Sequence, residues 1–143
     1  MHEILPGLFL GNLTDARDKS NEVDVVVNCT VDLPFFAVEK PHIRIPLEDN
    51  ESENATLGPY ITTAIVYLRT HIKNGKTVLV HCFAGAQRSA ALVAAYVMCD
   101  QNMDVDEAVA FVRARRPEAF MGGVNFMPSL RFAAQTALCG EKK

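Results

Sequence analysis

The stretch Thr77-Val78-Leu79-Val80-His81-Cys82-Phe83-Ala84-Gly85-Ala86-Gln87-Arg88-Ser89 joins two segments of opposite character. Thr77 to His81 is short, apolar and rich in β-branched residues, which suits a strand buried on both faces. From Ser89 to Cys99 the chain is apolar nearly all round, the pattern of a helix buried in the middle of a domain. A buried strand that turns through a short loop into a buried helix predicts a layered α/β core, with this unit at its centre.

Working outward, the same alternation continues on both sides. Glu3 to Leu10 reads as two short extended pieces broken by the turn pair Pro6-Gly7. Asn12 is placed to cap a short helix, with Asp15 three residues on. Val23 to Cys29 is a second β-branched run suited to a buried strand, while Ile43 and Ile45 alternate with His42 and Arg44 in a shorter, more exposed one. Glu48 to Asn54 is an acidic loop. Leu57, Tyr60, Ile61, Ala64, Ile65, Leu68 and Ile72 then fall on one helical face that Asn74-Gly75 should close with a left-handed cap. Asp104 and Glu107 form a capping-box pattern for a helix that Pro117 ends near Arg116. A last helix is expected over 125–138, with Pro128 in its first turn and Gly140 just past its end.

Composition narrows the class. At 143 residues, with 49% hydrophobic residues and a net charge of −3, the chain is expected to form one domain over 1–143. That charge supplies no electrostatic reason for nucleic-acid or anionic-membrane binding. The longest apolar stretch, Ala90 to Cys99, is too short to span a bilayer, and no charged-then-apolar leader precedes Ile4. Cys29, Cys82, Cys99 and Cys139 are scattered without metal-ligand spacing, so no metal is expected, and reduced thiols in an intracellular, cytoplasmic protein are.

The loop between strand and helix carries the chemistry. Cys82 leaves the C-terminal end of a strand, five residues curl round, and Arg88 enters the first turn of a helix. Successive N–H groups from Phe83 to Gln87 in such a curl point inward, and the helix adds its own free donors and positive dipole end. The result is a cradle for a tetrahedral dianion. Gly85 permits backbone angles that a side chain penalises and lets a ligand approach closely. Arg88 offers a planar fork matched to two phosphate oxygens. Cys82 is expected at the floor of the cradle, where a helix N-terminus and nearby cations favour a thiolate. Ser89 is placed to donate its hydroxyl to that sulfur, and His81 to orient the loop through hydrogen bonds. Taken singly, a cysteine near a strand end reads as a small buried apolar residue; the combination of strand, cysteine, five residues, Arg-Ser and buried helix points to chemistry.

VHCFAGAQRS resembles the Cys-x5-Arg-Ser/Thr signature of the protein tyrosine phosphatase superfamily, and its Ala-Gly and Arg-Ser pairs are most similar to the dual-specificity branch. The likeness covers nearly the whole chain: ILPGLFLGNLTDARD, VDVVVNCT, HIRIPLEDN and ARRP each resemble segments of that family. Gln87 stands where serine is frequent, and Met121-Gly122-Gly123 replaces a Pro-Asn before the last helix. The resemblance implies a mostly parallel twisted central sheet of about five strands flanked by helices. It implies hydrolysis of phosphotyrosine and phosphoserine/phosphothreonine through a phosphocysteine on Cys82, with no cofactor. It assigns the general acid to Asp49, among the neighbouring carboxylates Glu48, Glu51 and Glu53. The expected partner is a phosphorylated protein, met by a monomer.

Other readings stay open. Phosphoinositide phosphatases of the superfamily tend to place lysines inside the loop, whereas Phe83, Ala84, Ala86 and Gln87 are uncharged. An RNA 5′-phosphate is disfavoured by the absence of a basic patch, and a sulfurtransferase would leave Arg88, Ser89 and Asp49 without purpose. A phospho-binding module without turnover is the rival from another class. Phe35, Phe36, Phe120 and Met121 are candidates for the pocket rim or for ordinary core. Cys29 ends a strand expected beside that of Cys82, so a disulfide between the two is a further option.

Overall fold

The computed structural model describes residues 1–48 and 60–134. Five strands form one sheet: β1 (His2–Leu5), β2 (Leu8–Gly11), β3 (Val25–Asn28), β4 (His42–Arg44) and β5 (Val78–His81). Their order is β1-β2-β5-β3-β4; β1 runs antiparallel to β2 and every other pair is parallel. Strand β5 is central, paired from Val78 to His81 with β2 on one side and β3 on the other. The α/β class and the five-stranded, mostly parallel sheet therefore stand as the sequence implies.

The helices are α1 (Leu13–Lys19), α2 (Ile61–Lys73), α3 (Arg88–Gln101), α4 (Val105–Arg115) and α5 (Met127–Ala133), with a 3₁₀ turn at Ser20–Glu22. Asn12 and Asp104 each close a complete capping box, with Asp15 and Glu107. Gly75, at φ +77, closes α2. Leu57 of the expected α2 face, and the end of the expected last helix with Gly140, lie outside the described residues.

Alternation along the strands divides the core in two. Val25 and Val27 of β3, with Val78 and Val80 of β5, face the large cluster that takes in α2, α3, α4 and α5. Val26 and Leu79 face the other way, onto Ala16 of α1 and Val23. Helix α3 is buried from Ser89 through Met98, which explains its lack of a polar face. Among the described residues no helix is long and apolar enough to cross a membrane.

The chain leaves β2 through α1 and enters β3, passing over the position of β5; α2 later brings it back to the middle as β5. The C-terminal ends of β2, β5 and β3 thus converge where the strand order reverses, the place in open parallel sheets where ligands bind. Gly11, Cys82 and Cys29 sit at those three ends.

Candidate active site

The loop from Cys82 to Arg88 is held from outside by its carbonyls. Phe83 O accepts from Leu13 N at 2.9 Å, Ala86 O from Phe120 N at 2.8 Å, and Gln87 O from Ala91 N at 2.8 Å. Ala84 O and Gly85 O accept from the Arg116 guanidinium, through Nη2 at 3.2 Å and Nε at 2.8 Å. In a trans peptide the following N–H points opposite its C=O, and among the described residues there are no cis bonds. Outward carbonyls from Phe83 to Gln87 therefore turn the N–H groups of residues 84–88 to the opposite, inner side.

Cys82 lies at the floor of that curl, 2% exposed. Its Sγ receives the Gly85 N–H at 3.2 Å and lies 3.0 Å from Ser89 Oγ, itself fully buried. Arg88, half-buried in the first turn of α3, reaches back with Nη1 to Leu47 O at 3.5 Å. Cys29 Sγ reports on both neighbours: burial first, then the Cys82 sulfur, push its thiol well above the ordinary range, while the Arg88 charge works in the opposite sense. The Cys82 sulfur and the Arg88 charge thus both lie near enough to Cys29 to act on its thiol.

Gly85 adopts φ +67, as its place in the curl predicts. The close approach there is different from the one expected. A Cβ would stand 2.5 Å from Gly11 O and 2.6 Å from Arg116 Nη2, so the space is taken by the protein on the outer side of the loop. Gln87 also faces the rim: its Nε2 donates to Gly123 O at 2.7 Å and its Oε1 accepts from Asn125 N at 3.1 Å.

His81 is buried, and its Nδ1 lies 3.5 Å from Cys82 O; its Nε2 has no partner among the described residues. Burial lowers its pKa to about 4 and keeps the ring neutral. The loop's entry is fixed chiefly by main chain, with Cys29 N donating to His81 O at 2.8 Å.

The aromatic candidates separate. Phe120 is fully buried and belongs to the core; Phe35 packs on His42 and under Arg44. Phe83, at 61% exposed, and Met121, at 67%, stand open beside the loop, with Phe36 half-open further off. Asp49, with Glu51 and Glu53, lies outside the described residues; Glu48, the last before them, is exposed.

Cys29 and Cys82 are free. Cys99, partly exposed in the last turn of α3, is disulfide-bonded, against the expectation of reduced thiols throughout. Among the described residues no three His, Cys, Asp or Glu side chains come together to hold a metal.

A buried cysteine that accepts a loop amide, followed by Arg-Ser at a helix start, is the strand–loop–helix unit the sequence singled out. A model of the dual specificity phosphatase catalytic domain matches residues 8–136. The chain is 33% identical over 134 residues to tyrosine-protein phosphatase vhp-1 of Caenorhabditis elegans, covering 89% of this chain and 20% of that one. It is 33% identical over 120 residues to dual specificity protein phosphatase 22 of Homo sapiens, covering 81% of this chain and 64% of the relative. It therefore spans about a fifth of the length of the first relative and under two thirds of the second. The crystal structure of DUSP15 superposes with a TM-score of 0.83 at 26% identity, over 95% of this chain and 88% of that one. The chain belongs to the dual specificity phosphatase family.

Proposed function

We propose that the chain is a protein phosphatase that hydrolyses phosphotyrosine and phosphoserine/phosphothreonine through a phosphocysteine on Cys82. The observation that carries this reading is the loop itself: carbonyls from Phe83 to Gln87 bonded outward, N–H groups turned in, and the Cys82 sulfur at the floor accepting one of them. Such a curl neutralises the equatorial oxygens of a phosphoryl group without moving, which is where most catalytic stabilisation of phosphoryl transfer resides.

The reaction has two steps. In the first, the Cys82 thiolate attacks phosphorus in line as the P–O bond to the side chain breaks, and Asp49 gives the leaving oxygen its proton. Arg88 holds two equatorial oxygens with its fork. In the second, water attacks the phosphocysteine, Asp49 takes the water's proton, and the S–P bond breaks with its electron pair returning to sulfur. Ser89 Oγ, 3.0 Å from that sulfur, stabilises it as it departs. The names of the relatives, dual specificity and tyrosine phosphatases, support a phosphorylated protein as substrate. The open side chains of Phe83 and Met121 support contact with apolar groups flanking the phosphate. On the same reading the protein acts as a cytoplasmic monomer without a cofactor.

Purified protein is tested on an aryl phosphate, then on phosphotyrosine, phosphothreonine and phosphoserine peptides and phosphoinositides, with Cys82→Ser as control. Turnover of the peptides lost in the control supports the reading. Oxyanion binding without turnover would make the chain a phospho-binding module, and activity on lipid alone would move it to another substrate.

A further inference from the structure

Arg116 is the largest fully buried side chain among the described residues, 2% exposed, and the reaction above makes no use of it. It follows α4, just before Pro117, and extends to the outer side of the phosphate loop. Nε donates to Gly85 O at 2.8 Å and Nη2 to Ala84 O at 3.2 Å. Nη1 lies 2.8 Å from His2 Nδ1, which is the acceptor because a guanidinium only donates. The ion pair with Glu118 is loose, at 3.9 Å to a half-exposed carboxylate. A buried guanidinium is costly unless its donors are engaged; here Nε and Nη2 are given to loop carbonyls and Nη1 to His2.

One peptide unit connects Arg116 to the cysteine. The amide joining Ala84 and Gly85 accepts from Arg116 at its oxygen and donates its N–H to Cys82 Sγ at 3.2 Å. A charged donor on the carbonyl polarises an amide and strengthens its N–H as a donor. The next amide, between Gly85 and Ala86, is polarised in the same way through Nε, and its N–H turns into the cradle. Gly85 makes room: a Cβ there would stand 2.6 Å from Nη2.

We propose that Arg116 is a positioning residue for the phosphate loop, holding the Ala84 and Gly85 carbonyls outward and favouring the anionic sulfur of Cys82 through the Ala84–Gly85 amide. The proposal rests on the reading of Cys82 as nucleophile. The charged and titratable groups that face this assembly are His2 of β1, Asp15 of α1 and Glu118 around Arg116, and His81, Arg88 and Cys29 around Cys82.

The test measures turnover of p-nitrophenyl phosphate and the pH dependence of Cys82 alkylation by iodoacetamide. It compares wild type, Arg116→Met, Arg116→Lys, His2→Ala and Cys82→Ser. Arg116→Met is expected to lower kcat about tenfold to a hundredfold, less than the loss of a donor that itself touches the reacting group, and to move half-maximal alkylation to higher pH. Arg116→Lys should fall between, since lysine keeps the charge without the fork. His2→Ala unfastens Nη1 alone and should move both readouts the same way by less. If Arg116→Met does not fold, the lysine and His2 variants carry the comparison. A folded Arg116 variant with the wild-type alkylation profile would overturn the proposal, whether or not kcat falls, because packing damage alone leaves that profile in place. Turnover surviving in Cys82→Ser would overturn the reading of Cys82 as nucleophile, while the alkylation profiles of the other proteins would still report on Arg116.

Discussion

Cys82 Sγ and Ser89 Oγ lie 3.0 Å apart at the floor of the Cys82–Arg88 loop, both shielded from solvent. If Cys82 is the nucleophile, this hydroxyl is placed to act on the sulfur rather than on a leaving group across the phosphoryl. Ser89→Ala should therefore slow release of sulfur from phosphocysteine more than its formation. Rapid-quench kinetics on an aryl phosphate should show kcat lower by about tenfold or more together with a burst of released phenol. A loss confined to KM, with no burst, would contradict that role.

Asp49 adjoins the residues after β4 whose carbonyl, at Leu47, receives Arg88. If it protonates the leaving oxygen, Asp49→Asn should cost about a hundredfold or more on a phosphopeptide and far less on an aryl phosphate with a good leaving group. Equal losses on both substrates would assign the proton elsewhere, with Glu51 the first alternative.

Gly85 is fixed by two conditions at once, a φ of +67 and contacts that leave no room for a Cβ. Gly85→Ala should lower stability by about 2–4 kcal/mol in urea unfolding, from left-handed strain plus the clash with Gly11 O and Arg116. Vanadate binding should weaken in the protein that remains folded. An alanine variant of wild-type stability would mean the loop can be held without Arg116 at its back.

His81 gives stability a pH dependence whose sign follows from its environment. Its folded pKa of about 4 lies below the unfolded value of 6.5, so the unfolded chain binds the proton more readily. The contribution is fully present above pH 6.5 and is lost as pH falls towards 4, amounting to about 3 kcal/mol. Unfolding curves at pH 7 and pH 4.5 for wild type and His81→Asn isolate it from the carboxylates that titrate in the same range. Wild type should lose more stability than the variant; parallel losses would contradict a neutral buried ring.

What was legible in the sequence is what short-range chemistry encodes. The β-branched runs at Val25 and Val78, the capping boxes at Asn12 and Asp104 and the curl from Cys82 to Arg88 all carry their own signals, and they stand where expected. Partnerships between distant segments left no such trace. Arg116 reads locally as a helix end before proline, yet its acceptors are Gly85 and Ala84 on another element. The last helix begins at Met127 rather than Asn125, whose N–H is given instead to the Gln87 side chain. Phe120 looked as suited to the rim as Met121, but its N–H is bound to Ala86 O and its ring is drawn into the core.

The most direct test of the central claim is to quench the protein during turnover of a phosphopeptide and map it by mass spectrometry under acid conditions. The account predicts one phosphoryl group on the peptide carrying Cys82, absent from Cys82→Ser, and accumulating in Ser89→Ala. Steady turnover with no phosphoryl on Cys82 in any of these proteins would contradict it.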